Sequence, residues 1–515
     1  MLKDKNGVSF NPQQYFDAKA LARRSHKGLP LSDEKDKPLN SAYVSKITSL
    51  TDSVTGTSRW FNAVACFATP VQVKALQQLN FVAEVLPMPA KPMVVAEVAT
   101  EEINDLKADD LEILKNQTLS LGSATFKTKG LDGKGVRIAV LDAGFKAVDN
   151  SEAFALMRQE KRILKTWDFV KKREYVYDYA THGTMVLSCI GGKIKDQDLG
   201  LATGAEFLLA RTERMHSERF SEEEYWIQAM EWADKNGADI INSSLGYTNN
   251  RYFKEQMDGK TSLVSRAAEI AFEKGMLVVN AAGNDGDGDW KTLGAPADAE
   301  HVLTVGGIDP KKYFHVGFSS YGPTADKRLK PNVSAFGVVI AAGPKGLTRT
   351  QGTSFASPLV AGFAACLWQI NPKQINEEIF NRVQEASHLY PYFDYAHGYG
   401  VPQADQLFAR TLYRLAPTIK LVPEGDTVHV EIIRDPEPIP GKSIDYTTLD
   451  FKPTSYPFKD YFYYHITNPK TNVLHKYYVL EAGEGKRITS FNKKDRKPGS
   501  TLRFHYKGYT LELYD

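Results

Sequence analysis

Cysteine is scarce in this chain: three residues, Cys66, Cys189 and Cys366, among 515. No Cys-x-x-Cys pair occurs, which excludes a cysteine-based zinc site or a disulfide framework and leaves the three as small buried hydrophobes. Neither sign of charge is in excess, with a formal net charge of +2. With no basic stripe either, a nucleic-acid partner is not expected. No apolar run is expected to reach the ~18–20 residues that a membrane-spanning helix needs. The opening residues Met1-Leu2-Lys3-Asp4-Lys5-Asn6-Gly7 lack the apolar core of an export signal. Read literally, that points to the cytoplasm, unless a signal has been removed. A His-Glu-x-x-His motif, a phosphate-binding glycine loop, internal repeats and low-complexity tracts are all missing. What remains is ordinary globular composition, 42% hydrophobic and 24% charged, at a length suited to about three domains.

The pattern along the chain divides accordingly. Residues 1–40 are polar and broken by Pro12, Gly28, Pro30 and Pro38. Residues 43–54 and 60–69 read as strands, 70–80 as a short helix opened by Pro70, and 81–86 as another strand. This makes a small α+β unit over residues 1–98. The charged, weakly periodic stretch 99–120 reads as a linker. From Val136 onward, strands alternate with helices. Apolar runs at 136–141, 207–210, 239–245, 276–280 and 302–305 read as buried strands. Ser221-Glu222-Glu223-Glu224 reads as a capping box opening a helix, residues 263–274 form another closed by Gly275, and 354–370 is a nearly all-apolar one. Residues 121–416 are therefore expected to form an α/β domain with a doubly wound parallel sheet. After Pro417 the helices stop. Five short alternating segments at 428–433, 461–466, 474–480, 502–506 and 510–514 make 417–515 an all-β, sandwich-like domain.

Four segments of the α/β region end in groups suited to acyl transfer, which needs a nucleophile, a base, an anion that orients the base and donors for an oxyanion. Asp142 closes the strand VRIAVL. His182 sits in THGTMV, with Gly183 leaving room beside the imidazole. Asn284 ends MLVVNAAGN, and Ser354 begins the apolar helix in GTSFASP, at the positive end of its dipole. Taken singly, each has an ordinary explanation: a structural carboxylate, a core histidine, a turn former, an N-cap. All four ordinary explanations would have to hold together.

These segments resemble the motifs of the subtilase family. IAVLDAGF resembles its Asp motif, HGTMV its His motif, GTSFASP its Ser motif, NAAGN its oxyanion-asparagine motif and INSSLG its substrate-binding strand, all in the family's order. The front unit, with WFNAVACFATPVQVKALQQLNFVAEVLP, resembles the family's inhibitory propeptide. The resemblance implies a subtilisin-like serine endopeptidase made as a self-processing zymogen. Asp142, His182 and Ser354 would be its triad, with Asn284 and the Ser354 backbone as oxyanion hole. Ser244, Leu245 and Gly246 would pair with an extended substrate and, with Ala281, Ala282 and Gly283, wall its main side-chain pocket. Gly294 would floor that pocket and Asp285 stand at its rim. The maturation cut would fall between about Val95 and Asn116.

Two departures, Met185 where the family often has His and Phe355 where it often has Met, touch no chemistry. Residues 191–205 (GGKIKDQDLGLATGA) are short where many relatives carry a calcium-binding loop. No metal site and no cofactor are therefore expected, with a weaker cation site elsewhere left open. The expected partners are protein or peptide substrates and the chain's own prosegment, and the expected state a monomer. The resemblance implies a secreted or cell-surface location, the signal then lying outside this sequence. The rival reading is a binding or adhesin protein on an inactive protease fold. The intact triad argues against it, and labelling by a serine-directed fluorophosphonate separates the two.

Overall fold

The structure is a computed structural model that describes residues 1–88, 100–102, 106–214, 220–249, 251–408, 417–434, 461–468, 470–471, 473–495 and 499–514. The apolar runs of the middle region become one sheet. Its strands are β1 (Arg137–Asp142), β2 (Ile163–Asp168), β3 (Glu206–Arg211), β4 (Ile240–Ser243), β5 (Leu277–Ala281), β6 (Val302–Ile308) and β7 (Val333–Phe336). They lie in the order β2-β3-β1-β4-β5-β6-β7, and every pairing is parallel.

Alternation along each strand sends side chains to opposite faces. Ile138 and Val140 join one core with helices α1 (His182–Gly191) and α4 (Thr353–Ile370). Ala139 and Leu141 join a second core with α2 (Ser221–Lys235) and α3 (Leu263–Glu273). Helices thus cover both faces, as a parallel sheet requires. This is the subtilisin-like, doubly wound arrangement expected from the sequence. Because β1 pairs with both β3 and β4, the winding reverses there, and the carboxyl ends of the strands open a crevice at that point.

The sequence reading needs several corrections. Residues 43–54, expected as one strand, split into a helix, Ser41–Thr48, and a strand, Ser53–Ser58. The Asn40 side chain accepts from the N–H groups of Ala42 and Tyr43 and so starts the helix. Residues 81–86 make only an isolated bridge, Val82 with Leu2. The stretch expected as a linker carries the strand Thr100–Glu102, paired with Gly346–Gln351, and the helix Ala108–Leu119. Ile113, Leu114 and Gln117 of that helix are buried, so the charged residues are one face of a core element. The capping box at Ser221 does not form, since Phe220 takes the cap position; Glu222 and Glu223 are buried instead, and the Glu223 carboxylate accepts from Arg251. Helix α4 also overturns the expectation that no run is long enough to cross a membrane. By length and composition it is, and 89% of it is buried inside the domain.

The C-terminal segments form two antiparallel sheets. One has three strands, Ile419–Glu424, Thr427–Ile432 and Arg487–Asn492, and the other has four, Tyr461–Thr467, Leu474–Glu481, Thr501–Tyr506 and Tyr509–Leu513. Ile419, Val430 and Ile432 of the first meet Phe462, Leu502, Phe504 and Tyr506 of the second in one core, which makes a sandwich. The strands 419–424 and 487–492 had no expectation in the sequence.

The front unit docks on α2 and α3. Its Thr55 hydroxyl donates to Glu224 at 2.8 Å, and the Arg59 and Trp60 N–H groups both donate to Glu231 at 3.1 Å. Its arm, the helix Ala18–His26, adds buried ion pairs. Arg23 and Arg24 share Asp234, while Lys274 of the α/β domain reaches Asp36 at 2.7 Å.

Candidate active site

The candidate residues gather at the carboxyl edge of the sheet. Asp142 ends β1 with 2% of its surface exposed. Its Oδ1 accepts the Ala143 N–H at 2.7 Å and lies 2.8 Å from His182 Nδ1. A carboxylate only accepts, so Nδ1 carries the imidazole proton and Nε2 is left as a base. His182 begins α1, and Gly183 fits there because a Cβ would lie 2.5 Å from the Gly144 carbonyl and 2.9 Å from the Asp142 Cβ. Burial disfavours the charged imidazolium, but the charge of Asp142 and its hydrogen bond outweigh this, and the His182 pKa is raised.

Ser354 is the second residue of α4, and the His182 ring lies 5.5 Å, centroid to centroid, from that of Phe355. In this state the Ser354 hydroxyl donates to the Ser244 carbonyl at 3.1 Å rather than to His182. The Ser244 hydroxyl returns a bond to the Ser354 carbonyl at 2.9 Å, so the nucleophile's helix start and the end of β4 are cross-tied.

Asn284 is fixed by its oxygen. Its Oδ1 accepts from the Thr353 N–H at 2.8 Å and from the Thr353 hydroxyl at 2.9 Å. Its Nδ2 has no acceptor among the described residues, and neither has the Ser354 N–H. Both donors border the same small space. A Cβ built on Gly352 would lie 3.4 Å from Asn284 Nδ2 and 3.7 Å from Ser354 N. Gly352 has φ +141°, which also favours glycine. Thr353 was not singled out in the sequence, although it stands inside GTSFASP. Two N–H donors with no acceptor among the described residues, close to one point beside a helix N-terminus, suit a negatively charged oxygen.

The two segments expected to wall a substrate, residues 244–246 and 281–283, lie side by side. Asn280 Nδ2 donates to the carbonyls of Leu245 at 3.0 Å and Ala281 at 2.8 Å and so ties the two walls together. Gly246 faces Gly294: a Cβ on Gly246 would lie 4.0 Å from the Gly294 Cα. Beside them Tyr247 and Ala295 exchange backbone bonds of 2.8 and 2.9 Å. Ala282, expected in the wall, is fully buried and packs onto Leu293 and Ala297. The Asp285 carboxylate lies near Gly283, and burial together with the charge of Asp287 raises its pKa.

Among the described residues, no group of three or more His, Cys, Asp or Glu side chains is placed to hold a metal ion. Residues 193–198 form a short hairpin, and the Gln117 amide donates to the Leu199 and Ile340 carbonyls at 2.8 and 3.1 Å.

Residues 133–400 match the family model described as the Subtilase family, and residues 1–103 match that of the Peptidase S8 propeptide domain of Bacteroidota. Subtilisin DY of Bacillus licheniformis is 29% identical over 275 residues, which span 53% of this chain and 91% of that protein. The thermostable alkaline protease of Halalkalibacterium halodurans is 29% identical over 313 residues, 58% of this chain and 78% of that protein. Among solved structures, MycP1 from Mycobacterium smegmatis aligns with a TM-score of 0.49 at 22% identity, covering 63% of this chain and 91% of that one.

Proposed function

Since this chain belongs to the subtilase family, we propose that Asp142, His182 and Ser354 are its catalytic triad, with Asn284 Nδ2 and the Ser354 N–H as its oxyanion hole. The protein is a serine endopeptidase with an N-terminal S8 propeptide domain. The observation that carries the residue assignment is that two N–H donors, unpaired among the described residues, border one space beside Gly352, at the helix start whose Phe355 ring lies 5.5 Å from that of His182.

In turnover, Ser354 Oγ leaves the Ser244 carbonyl and attacks the peptide carbonyl carbon while its proton passes to His182 Nε2. The carbonyl oxygen, now an anion, takes the two free N–H donors. His182 then gives the proton to the departing amine, water repeats the sequence on the acyl-enzyme, and Asp142 stays ionised throughout. The substrate lies as an added strand along Ser244–Gly246, where the Gly246 backbone groups have no partner among the described residues. The facing glycines Gly246 and Gly294 leave an uncharged pocket, which suits large apolar side chains before the scissile bond. Asp285 at its rim extends tolerance to Lys and Arg.

The prosegment restrains the enzyme until it is cut. The expected window, Val95 to Asn116, falls partly outside the described residues. Its far end lies in the helix Ala108–Leu119, so the cut belongs before Lys107. No cation is needed for the chemistry. A secreted or cell-surface location fits an endopeptidase held as a zymogen. The test is a fluorophosphonate reagent applied to matured protein. We expect one label per chain in the parent and none in Ser354→Ala, which should also remain uncut at full length. A mutant that is labelled or trimmed like the parent, in the absence of other proteases, overturns the assignment.

A further inference from the structure

The loop that carries Asn284 is held from two sides. On the α4 side Thr353 grips the side chain, as above. On the other side, residues 318–320 hold the backbone: the Gly286 N–H donates to the Phe318 carbonyl at 2.8 Å, the Ser320 N–H donates to the Gly283 carbonyl at 3.0 Å, and the Asp285 N–H donates to the Ser320 hydroxyl at 3.2 Å. That second segment is itself irregular, so it needs an anchor of its own. The Ser319 hydroxyl accepts the Gly307 N–H of β6 at 3.0 Å. The Ser319 carbonyl accepts from His315 Nε2 at 2.9 Å.

His315 is in turn oriented by a second buried Asp–His pair. The His315 N–H donates to His397 Nε2 at 2.9 Å, which places the His397 proton on Nδ1, 3.1 Å from both Asp394 oxygens. Asp394 also accepts the Ala396 and His397 N–H groups at 2.9 and 2.7 Å. His315 is 7% exposed, His397 2% and Asp394 0%. The pair copies the chemistry of Asp142–His182 with one difference. The far nitrogen of His397 already holds a backbone N–H, so it has no capacity to act as a base. A buried histidine that donates to a carboxylate and has its other nitrogen occupied has an orienting task. The C-terminal sandwich closes over it. Tyr461 lies 5.9 Å from Phe314, Tyr463 lies 6.0 Å from His397, and His465 stacks on Tyr392 at 4.9 Å while bonding the Phe393 carbonyl at 2.6 Å.

We propose that His315, oriented by the Asp394–His397 pair beneath the C-terminal sandwich, is a positioning residue for the oxyanion loop Gly283–Gly286. This rests on the assignment of Asn284 to the oxyanion hole. The role is distinct from that assignment, because His315 touches neither substrate nor the reacting atoms. Losing the His315 donor frees residues 318–320, and the Asn284 amide then meets the developing oxyanion less often in its productive position.

The test is a double-mutant cycle on the matured full chain, with kcat expressed per active site titrated by a covalent serine reagent. Asn284→Ala alone should lower kcat by about 10²–10³, a magnitude that comes from subtilisin, a member of this family, rather than from this structure. His315→Leu should lower kcat about tenfold with KM within about twofold, and in the Asn284→Ala background it should cost less than about twofold. His315→Gln, which keeps an N–H near the same point, should restore most of the loss. If His315→Leu does not fold, Ser320→Ala takes its place in the cycle, with a smaller loss of the same kind. Losses that add fully in the Asn284→Ala background, an unchanged kcat, or a glutamine variant as poor as leucine would overturn the proposal while leaving the oxyanion assignment standing. An Asn284→Ala enzyme with unchanged kcat would remove that assignment, and this inference with it.

Discussion

The seam between the α/β domain and the C-terminal sandwich should fail in mild acid. Four imidazoles lie at or directly beneath it: His388 on the α/β side, His465 and His505 on the strands Tyr461–Thr467 and Thr501–Tyr506, and His315, one ring behind the seam residue His397. Burial, which outweighs every neighbouring charge, pushes the pKa of His315 down to about 4, His388 to about 3, His465 to about 4 and His505 to about 4. The charged groups facing them are Asp394, Arg503 and Glu512, with His397 beside His315. Burial opposes the Asp394 charge, but His397 outweighs it and lowers its pKa, so Asp394 stays an anion and takes up no proton at pH 5. The sign follows from linkage. Exposed imidazoles titrate near 6.5, so above that pH the neutral seam costs nothing. As pH falls below it, the opened state gains protons that the closed state cannot hold, at about 1.4 kcal/mol per pH unit for each histidine, until the closed-state pKa is reached. At pH 5 that is about 2 kcal/mol each and about 8 kcal/mol for the four, comparable with the ~5–15 kcal/mol that holds a whole domain together. Calorimetry of the Ser354→Ala protein, which cannot digest itself, should show one main transition at pH 7.5. At pH 5 a separate transition should lie more than ~10 °C lower. Replacing His465 and His505 by Gln should remove about half of that gap. Identical melting at both pH values, or a gap untouched by the double replacement, would refute the reasoning.

Two further outcomes follow from the site. The proposed triad needs a neutral His182, and its pKa is raised above 6.5 by Asp142, so kcat/KM should climb with pH with a midpoint above 6.5; a maximum near pH 4 would point to a carboxylate mechanism instead. Chelation with EDTA should leave activity and melting temperature unchanged over an hour, and immediate unfolding in the chelator would reveal a metal site that the His, Cys, Asp and Glu side chains of the described residues do not suggest.

The sheet, and the candidate residues gathered at its carboxyl edge, were legible because their signals are local. Asp142, His182, Asn284 and Ser354 each sit where an apolar run meets a glycine, and buried parallel strands announce themselves as continuous apolar runs. What escaped depends on contacts distant in sequence. The helix Ala108–Leu119 looks like a linker because its charged face is as long as its buried one; the burial of Ile113 and Leu114 and the bonds from Gln117 to the Leu199 and Ile340 carbonyls show it to be core. The helix Ser41–Thr48 is β-branched enough to read as a strand, and one capping side chain, Asn40, decides otherwise. His315, Asp394 and His397 carry no motif at all. A histidine in an apolar context is usually filler, and the relay exists only when the 315–321 loop and the 394–397 loop come together under the sandwich.

The arm of the front unit separates two events that a single chain would otherwise merge. Scission between the prosegment and the protease removes one covalent link. It leaves Arg23, Arg24 and Asp36 still locked onto Asp234 and Lys274, in a patch where all five side chains are at least 95% hidden from water. Withdrawing the arm means rehydrating those charges together, a slow escape with no partly paired intermediate to ease it. Cutting therefore starts a clock without releasing the enzyme. A lag before full activity is then expected, set by the detachment of a helix at the end of β1 opposite Asp142, and a second protease that digests the exposed prosegment should shorten it without touching the active site.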